Sequence, residues 1–241
     1  MISTTQKEVF NWPPLESNDE IFTEYLVKLG MDRKWLVFQC FGLDDDCLGF
    51  VPKPTVAVIA NYERLDKPWD HSLGSSESTP VPYYMKQTNV LDNACGIIAC
   101  LHSVLNNLNQ IPLEEGSILQ RFNKAAEGKT PEQKATLLEE IKDFQDVHKI
   151  YANQGQSKLA EEQSDVKHHY CAFVLTDKGL LVELDGRKQG PHVIKEGCED
   201  LLKETAQVLL KRIEDKKISE SLAVLTLSKD PEAVEEQPES Q

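Results

Sequence analysis

The chain has 241 residues, 40% of them hydrophobic and 27% charged, which is an ordinary globular composition with enough length for one sizeable core. Its 40 acidic and 26 basic residues give a net charge of −14. Nucleic acids and anionic membranes need a basic protein face, so this charge argues against both as partners. It favours a basic partner, or it only keeps the protein in solution.

The N-terminus and the cysteines predict the compartment. The first residues, MISTTQKEVF, contain no basic region followed by an apolar run, and the most continuous apolar stretch, residues 56–60, is too short to span a bilayer. No CxxC pair occurs among the six cysteines, which are Cys40, Cys47, Cys95, Cys100, Cys171 and Cys198. They lie mostly in apolar segments, as reduced thiols do. We therefore expect a cytoplasmic protein with neither a disulfide framework nor a metal site.

The N-terminal third predicts one helix and two strands. A capping box begins at Ser17, and apolar residues follow it at helical spacing until Gly30 ends the run. Short β-prone runs at residues 35–41 and 55–60 predict two strands. Residues 61–82 carry Ser, Gly and Pro without periodicity, so we expect an exposed loop there.

Two helices are predicted in the middle of the chain. Apolar residues recur at helical spacing from Cys95 to Leu108, which indicates a deeply packed helix. Thr130 is followed by a proline and then, three positions on, by a glutamine, so a second helix is expected to begin there and to run to about His148. Residues 151–167 lack apolar periodicity and are predicted to form a polar connector.

The C-terminal third predicts a hairpin, a helix and a final strand. The two strands of the hairpin cover residues 170–176 and 180–184. A helix over residues 199–214, apolar on one side, leads to a strand at residues 222–227. Residues 229–241 are charged, contain proline and nearly lack large apolar groups, so they are predicted to be a disordered acidic tail.

The residue that suggests chemistry is Cys95. It stands at the start of the predicted buried helix, where unpaired amides and the positive end of the helix dipole stabilise a thiolate, the nucleophilic form of the side chain. Gly96 removes bulk beside the sulfur, which would let a substrate carbonyl approach. Most buried cysteines only pack as small apolar side chains, and Cys100 in the same helix illustrates that alternative.

A thiol nucleophile needs a base and a residue that orients the base. His169 begins the first strand of the predicted hairpin and Asp185 ends the second, so strand pairing would put them opposite or diagonal to each other. Taken separately, such residues are usually a half-exposed histidine and a turn aspartate. Beside a cysteine at a helix start, they suggest a Cys-His-Asp triad.

Several segments of the chain, spread over residues 11–228, carry a shared pattern. In order they are Trp12, Pro14-Leu15-Glu16-Ser17-Asn18, Tyr84-Met85-Lys86-Gln87-Thr88, Asn93-Ala94-Cys95-Gly96, Leu101-His102-Ser103, His169-Tyr170 and Glu183-Leu184-Asp185-Gly186-Arg187-Lys188. Together they resemble the ubiquitin C-terminal hydrolase family of cysteine deubiquitinases.

The resemblance implies a papain-like cysteine protease fold of the α/β (α+β) class, with a central antiparallel sheet flanked by helices and a knotted backbone. It implies one catalytic domain over residues 1–228, which cleaves after the C-terminal glycine of ubiquitin. The implied roles are those of a nucleophile, a general base and acid, an orienting residue and an oxyanion donor, held by Cys95, His169, Asp185 and Gln87. This chemistry needs no metal or organic cofactor.

Three positions differ from the family pattern or need a choice. Gln87 precedes Cys95 by eight positions, two more than in the family, as though residues had been inserted before the nucleophile. The charge of Asp92 would oppose ionisation of the thiol, unless this residue caps the helix. Because the family's histidine is followed by an aromatic residue, we choose His169 over His168; neighbours in a strand face opposite sides.

The resemblance also assigns contacts with the modifier. They fall on Pro14, Leu15, Glu16, Ser17, Asn18 and Asp19, on Gln154, Gly155 and Gln156 in the connector, and on the strand near Leu222. The connector would cross the active site, so that only small adducts or short peptides joined to ubiquitin are cut. Two alternatives stay open: a ubiquitin-binding module that has lost turnover, and a hydrolase for a ubiquitin-like modifier. We expect a monomer.

Overall fold

The computed structural model describes residues 10–65, 71–75, 80–154 and 168–233. The strands in these ranges are β1 (Trp35–Cys40), β2 (Thr55–Arg64), β3 (His168–Leu175), β4 (Leu181–Leu184), β5 (His192–Lys195) and β6 (Ile218–Lys229). The helices are α1 (Asp19–Leu29), α2 (Asp45–Gly49), α3 (Cys95–Leu105), α4 (Ile118–Ala126), α5 (Pro131–Glu140), α6 (Lys142–Ala152) and α7 (Leu201–Glu214). Within this part of the chain, no helix is long and apolar enough to cross a membrane.

The strands join one antiparallel sheet in the order β1-β6-β2-β3-β4-β5. The apolar run of β2 alternates between two cores: Ala57 and Ile59 pack in the core that contains α1 and α3, whereas Val58 and Ala60 pack in the core that contains α2 and α7. Helices therefore cover both faces of the sheet, which explains why this strand is almost continuously apolar. The predicted class, a mixed α/β fold with a central antiparallel sheet flanked by helices, is confirmed.

The first helix is capped by Asn18, so the predicted capping box at Ser17 is wrong. The Asn18 side chain accepts a hydrogen bond at 2.9 Å from the backbone amide three residues on. The Ser17 hydroxyl is held elsewhere: it lies 2.6 Å from the Tyr170 hydroxyl and accepts a hydrogen bond from Asn61 Nδ2 at 2.7 Å. These partners are distant in sequence, and a local pattern cannot reveal them.

The helix predicted from Thr130 is divided into α5 and α6. Thr130 and Gln133 form the expected capping box. Ile141, however, separates the two helices with φ −80° and ψ 106°, an extended conformation in which its side chain packs against the core. Gln145 Nε2 donates to the Glu139 carbonyl at 2.7 Å and satisfies a carbonyl left over at the end of α5.

The remaining differences concern the extent of two strands and three elements that were not predicted. β2 continues to Arg64, inside the predicted loop, because this end of the strand pairs with β3 and β6. The elements α2, α4 and β5 are absent from the prediction; each is short and buries few residues. β6 includes Lys229, where the predicted tail begins, and residues 234–241 lie outside the described ranges.

Candidate active site

Three elements bring Cys95, His169 and Asp185 together. Cys95 is the first residue of α3, a helix that is buried along its whole length. His169 is the second residue of β3, and Asp185 directly follows β4. Because Ala172 opposes Leu184 in the β3–β4 pair, continuing that register places Asp185 diagonal to His169.

The imidazole of His169 lies between the other two side chains. Its Nε2 atom is 2.7 Å from Asp185 Oδ1, and its ring also lowers the pKa of the neighbouring Cys95 thiol. Since the carboxylate engages Nε2, the ring atom that faces the sulfur is Nδ1. The exposed fractions are only 6% for Cys95, 1% for His169 and 2% for Asp185. Exclusion of water strengthens each of these contacts.

The pKa of the Cys95 thiol is lowered from its ordinary value. Burial alone would raise this pKa, but burial is outweighed by the hydrogen bond and charge of His169, the backbone amide of Tyr170 and the charge of Arg187. The position at the start of α3 acts in the same sense, because the first amides of a helix have no partner within it. In contrast, burial raises the pKa of Cys100 further along the helix.

The contact between His169 and Asp185 shifts their two pKa values in opposite directions. Burial would lower the pKa of His169, but the charge and hydrogen bond of Asp185, together with Cys95, raise it to about 9. Burial would raise the pKa of Asp185, but the charge and hydrogen bond of His169 lower it to about 2. Near neutral pH, the site therefore holds an imidazolium between two groups that favour a negative charge.

The neighbouring histidine has a different environment. His168 is half-buried at the start of β3, whereas His169 is buried beside Cys95. Because successive side chains of a strand face opposite sides, only one of the two can be directed at the thiol. The structure directs His169 there, and its chemical role stays a prediction.

Asp92 does not cap α3, which was the alternative left open for it. The N-cap residue is Ala94, and no described side chain caps the helix. Asp92 points outward, with 71% of its side chain exposed, and its Oδ1 accepts a hydrogen bond from Arg187 Nη2 at 2.9 Å. Its negative charge near the thiol is therefore paired with a cation, and that cation itself lowers the pKa of Cys95.

Gln87 lies against the turn that follows Asp185. Its backbone amide donates to the Gly186 carbonyl at 2.9 Å, and a Cβ added at Gly186 would come within 3.0 Å of the Gln87 backbone, so a side chain there would push the two segments apart. The Gln87 Nε2 atom donates to the Asp92 carbonyl at 2.6 Å. Its Oε1 atom is buried without a hydrogen-bond partner among the described residues.

Comparison with known proteins places these residues in a family. The chain matches the family model for ubiquitin carboxyl-terminal hydrolase, family 1, over residues 12–214. The chain belongs to this family. A probable ubiquitin carboxyl-terminal hydrolase of Dictyostelium discoideum is 38% identical over 88% of this chain and 84% of the relative. The isozyme L1 of Homo sapiens is 34% identical over 81% of this chain and 88% of the relative.

The solved structures agree on the fold of this ubiquitin carboxyl-terminal hydrolase family member. The catalytic domain of Trichinella spiralis UCH37, determined with ubiquitin vinyl methyl ester bound, matches with a TM-score of 0.72 over 91% of this chain and 96% of that chain. At 21% sequence identity, this likeness shows the fold alone. The family and the enzyme class that the motifs predict, a cysteine-type ubiquitin hydrolase, are confirmed by the family model and the relatives.

Within this family member, the N-terminal segment reaches the site through Tyr170. The Tyr170 hydroxyl donates to the Leu15 carbonyl at 3.0 Å, and the backbone amide of Tyr170 lowers the pKa of Cys95. A Cβ added at Gly96 would lie 3.4 Å from Leu15 and 3.6 Å from Tyr170. These are ordinary van der Waals distances, so packing does not require glycine at position 96, and the predicted room for a substrate carbonyl stays a prediction.

The predicted contact residues differ in how much surface they offer. Leu15 is 5% exposed, and Ser17 and Asn18 make the internal hydrogen bonds described above. The other members of the N-terminal group are half-buried: Pro14, Glu16 and Asp19. Gln154 is exposed just after α6, whereas Gly155, Gln156 and the rest of the crossing segment lie outside the described residues. A role in binding the modifier stays a prediction for all of them.

His102 and Tyr84 support the site, although no role is predicted for them from the sequence. Their rings stack with centroids 5.2 Å apart, and the Tyr84 hydroxyl donates to the Asp185 carbonyl at 2.8 Å. His102 Nε2 accepts from the Met85 amide at 3.1 Å, so Nδ1 carries the proton and donates to the Leu184 carbonyl at 3.2 Å. Burial lowers the pKa of His102 to about 4, which keeps it neutral. Both residues lie in the segments that carry the family resemblance, and that resemblance is the sequence signal that could have identified them.

A second buried carboxylate lies two residues before Asp185. Glu183 is 1% exposed and accepts hydrogen bonds from both terminal nitrogens of Arg212, at 2.9 and 2.8 Å, and from Lys188. His192 Nδ1 lies 3.4 Å away. Burial would raise the pKa of Glu183, but these surrounding groups hold it well below its ordinary value. The cluster is a fixed ionic tie between β4 and α7.

Proposed function

We propose that the chain hydrolyses bonds at the C-terminal glycine of ubiquitin, with Cys95 as nucleophile, His169 as general base and acid, and Asp185 as the residue that orients His169. The observation that carries this proposal is the buried contact of 2.7 Å between His169 Nε2 and Asp185 Oδ1. The other side of the His169 ring faces Cys95, whose pKa is lowered. A nucleophile, a base and an orienting carboxylate in this order are what thiol catalysis needs.

The first half of the reaction forms a thioester. The Cys95 thiolate attacks the carbonyl carbon of the last ubiquitin glycine, and the oxygen becomes negative. The backbone amide of Cys95, at the open end of α3, and Gln87 Nε2 stabilise that oxygen. Proton transfer from His169 Nδ1 to the leaving amine or thiol lets its bond to the carbonyl break.

The second half releases ubiquitin. Neutral His169 accepts a proton from water, and the hydroxide attacks the thioester carbonyl. Collapse of the intermediate breaks the carbon–sulfur bond, frees the ubiquitin carboxyl group and restores the thiolate beside the imidazolium. Asp185 stays ionised throughout because its pKa is about 2, and it keeps the proton on Nε2 so that Nδ1 is the atom that exchanges protons.

The proposed partner also fits the charge of the chain. The tail of ubiquitin is basic and the chain carries a net charge of −14, so the two attract each other during encounter. We assign contacts with the modifier to Pro14, Glu16 and Asp19, to the connector that begins at Gln154, and to the strand near Leu222. A monomer in the cytoplasm is the state that we propose for this reaction.

Two ubiquitin reagents test the proposal: a C-terminal amide reporter and a probe with a C-terminal electrophile. We expect the wild type to turn over the reporter and to form an adduct with the probe. Cys95→Ser should lose essentially all hydrolysis and still bind ubiquitin, because a hydroxyl is far less ionised than a thiol. The matched control Cys100→Ser, in the same buried helix, should stay active. An adduct without turnover would favour the binding module, and equal losses in both variants would contradict the assignment.

The size of the leaving group is the finer part of the proposal. Residues 155–167 connect Gln154 to His168, directly beside His169, so this connector must end at the site. We expect ubiquitin joined to a short peptide or a small amine to be cut much faster than diubiquitin. Insertion of about ten Gly/Ser residues near Gln156 should reduce the difference at little cost in stability, because loop-closure entropy grows only logarithmically with length. Efficient cleavage of diubiquitin by the wild type would reject this size limit.

A further inference from the structure

The loop before Cys95 holds the Gln87 carboxamide in one orientation. Its Nε2 atom donates to the Asp92 carbonyl at 2.6 Å, while its Oε1 atom is turned inward and is buried without a partner among the described residues. A buried carbonyl oxygen without a donor is unfavourable, so some contact must offset this arrangement. Rotating the amide by half a turn would bring two carbonyl oxygens together. The Asp92 carbonyl is therefore the group that sets which amide atom faces the loop.

Asp92 is itself held by Arg187. Arg187 Nη2 donates to Asp92 Oδ1 at 2.9 Å and lies 3.4 Å from the Asp92 carbonyl. The backbone amide of Arg187 donates to Asp185 Oδ1 at 3.0 Å. A single residue thus connects the carboxylate that orients His169 with the loop that orients Gln87.

The length of the loop explains why such a brace is needed. Gln87 and Cys95 are eight positions apart, two more than in the family pattern. The first half of the loop is anchored, because Leu91 is fully buried and the Thr88 hydroxyl donates to Glu139. The second half carries Asp92 on the surface, and Arg187 is the side chain that holds it. A longer exposed segment samples more conformations unless a contact selects one.

We propose that Asp92 and Arg187 are positioning residues that keep one N–H of Gln87 directed at the oxyanion. A primary amide nitrogen carries two N–H donors. The Asp92 carbonyl takes one of them and fixes the plane of the amide, which leaves the other for the oxygen that becomes negative beside Cys95. Such a donor is effective because it is in place before the charge develops. The inference rests on the proposed function, since it needs Gln87 as the oxyanion donor.

The brace acts on the transition state and leaves ground-state binding unchanged. Its loss should lower kcat and leave KM unchanged, because only the developing charge needs the donor. Asp92→Ala is the most informative variant, since it removes the anchor for Arg187 and keeps the backbone carbonyl. Loss of the Asp92 charge favours the thiolate, whereas release of Arg187 disfavours it, so the pH dependence of Cys95 alkylation is measured beside kcat: an unchanged profile with a lower kcat assigns the loss to the donor.

The test is a double-mutant cycle on the ubiquitin amide reporter in the full chain. We expect Gln87→Ala to lower kcat by roughly 10²- to 10³-fold, as for an oxyanion donor, and Asp92→Ala to lower it by about tenfold, as for a donor that is misdirected part of the time. Adding Asp92→Ala to Gln87→Ala should cause no further loss, because the brace then has nothing to orient. Arg187→Lys keeps the charge and loses the Nη2 contact with both Asp92 oxygens, so it should behave like Asp92→Ala. Asn89→Ala, exposed in the same loop, is the matched control and should leave kcat unchanged.

The outcomes separate this inference from the proposed function. If Gln87→Ala has its full effect and Asp92→Ala has none, the positioning role is rejected and Gln87 remains the donor. An increase in kcat for Asp92→Ala would show that the contact between Gln87 and Asp92 blocks the donor. Additive losses in the double variant would show that Gln87 and Asp92 act separately. Either result overturns the inference. A small effect of Gln87→Ala would reject its assignment as the oxyanion donor, and the brace with it. A loss in Asn89→Ala equal to that in Asp92→Ala would trace the effect to a damaged loop and also reject it.

Discussion

Glu183 and Asp185 are buried to the same extent, two residues apart at the end of β4, yet their surroundings differ. Glu183 is 1% exposed and is enclosed by the side chains of Arg212 and Lys188. Asp185 is 2% exposed and accepts hydrogen bonds from a neutral backbone amide and from an imidazole. That imidazole can lose its proton, and its other nitrogen faces a thiol.

The difference separates two uses of a buried charge. Glu183, whose pKa its surroundings hold well below the ordinary value, stays ionised near neutral pH, so it connects elements, and removing one partner leaves the others uncompensated. A carboxylate whose partner titrates sets the proton affinity of that partner. We therefore expect changes at position 183 to affect stability, and changes at position 185 to affect rate and pH dependence.

The largest expected effect is at the titratable partner itself. His169→Ala should lower the rate by roughly 10²- to 10⁴-fold, the range for general acid–base catalysis, or by more if thiolate formation depends on this residue. Steady-state kinetics with the ubiquitin reporter measure it. His168→Ala is the matched control and should be mild. The reverse pattern would mean that His168 is the proton carrier.

The second prediction concerns Glu183. Glu183→Gln should lower the free energy of unfolding by about 3–5 kcal/mol, because Arg212 and Lys188 would remain buried without an anion. Urea denaturation measures the loss, and the folded fraction should keep its activity. A variant with normal stability and poor turnover would contradict the view that position 183 affects stability and position 185 affects rate.

The third prediction tests how Asp185 sets the pH dependence. The negative charge of Asp185 raises the pKa of His169 to about 9, so the wild-type rate should fall on the alkaline side near that pH as the imidazolium is lost. Asp185→Asn removes the charge and lowers this pKa. The alkaline limb of kcat/KM should therefore move to lower pH. At a fixed assay pH near neutrality, kcat/KM should fall about tenfold for each pH unit by which the limb lies below that assay pH. An unmoved limb would assign it to another group.

The smallest effect is expected within the ionic tie. Arg212→Lys keeps the charge and loses the two-pronged contact with Glu183, which should lower the free energy of unfolding by about 1 kcal/mol. The same denaturation assay measures it, and kinetics should not change. A loss as large as that of Glu183→Gln would mean that packing of the guanidinium, rather than charge balance, governs the cluster.

Much of the architecture is local in origin and could be predicted. The spacing of apolar residues indicates α1, α3 and α7, and turn residues between β-prone runs indicate the hairpin of β3 and β4. Ile141 packs against the core where α5 and α6 divide, and Ser17, the predicted cap, is instead held by Tyr170. Both are decided by contacts between distant parts of the chain.

The candidate site shows the same division. The helix start at Cys95 and the strand positions of His169 and Asp185 follow from local patterns, and the structure brings the three side chains together. The contact of Arg187 with Asp92 joins two loops that are far apart in sequence, and it needs the three-dimensional fold to be seen. Spacing alone shows that the loop before Cys95 is long, and the structure adds what holds that loop.

The lowered pKa at a single cysteine predicts how the chain responds to oxidants. Peroxides attack thiolates, and burial raises the pKa of Cys40, Cys100 and Cys171, which stay protonated near neutral pH. Cys95 ionises most readily, so it should be the first to become a sulfenic acid. With Cys95 as the proposed nucleophile, mild oxidation would then silence the enzyme and leave its fold intact, and a thiol reductant would restore it.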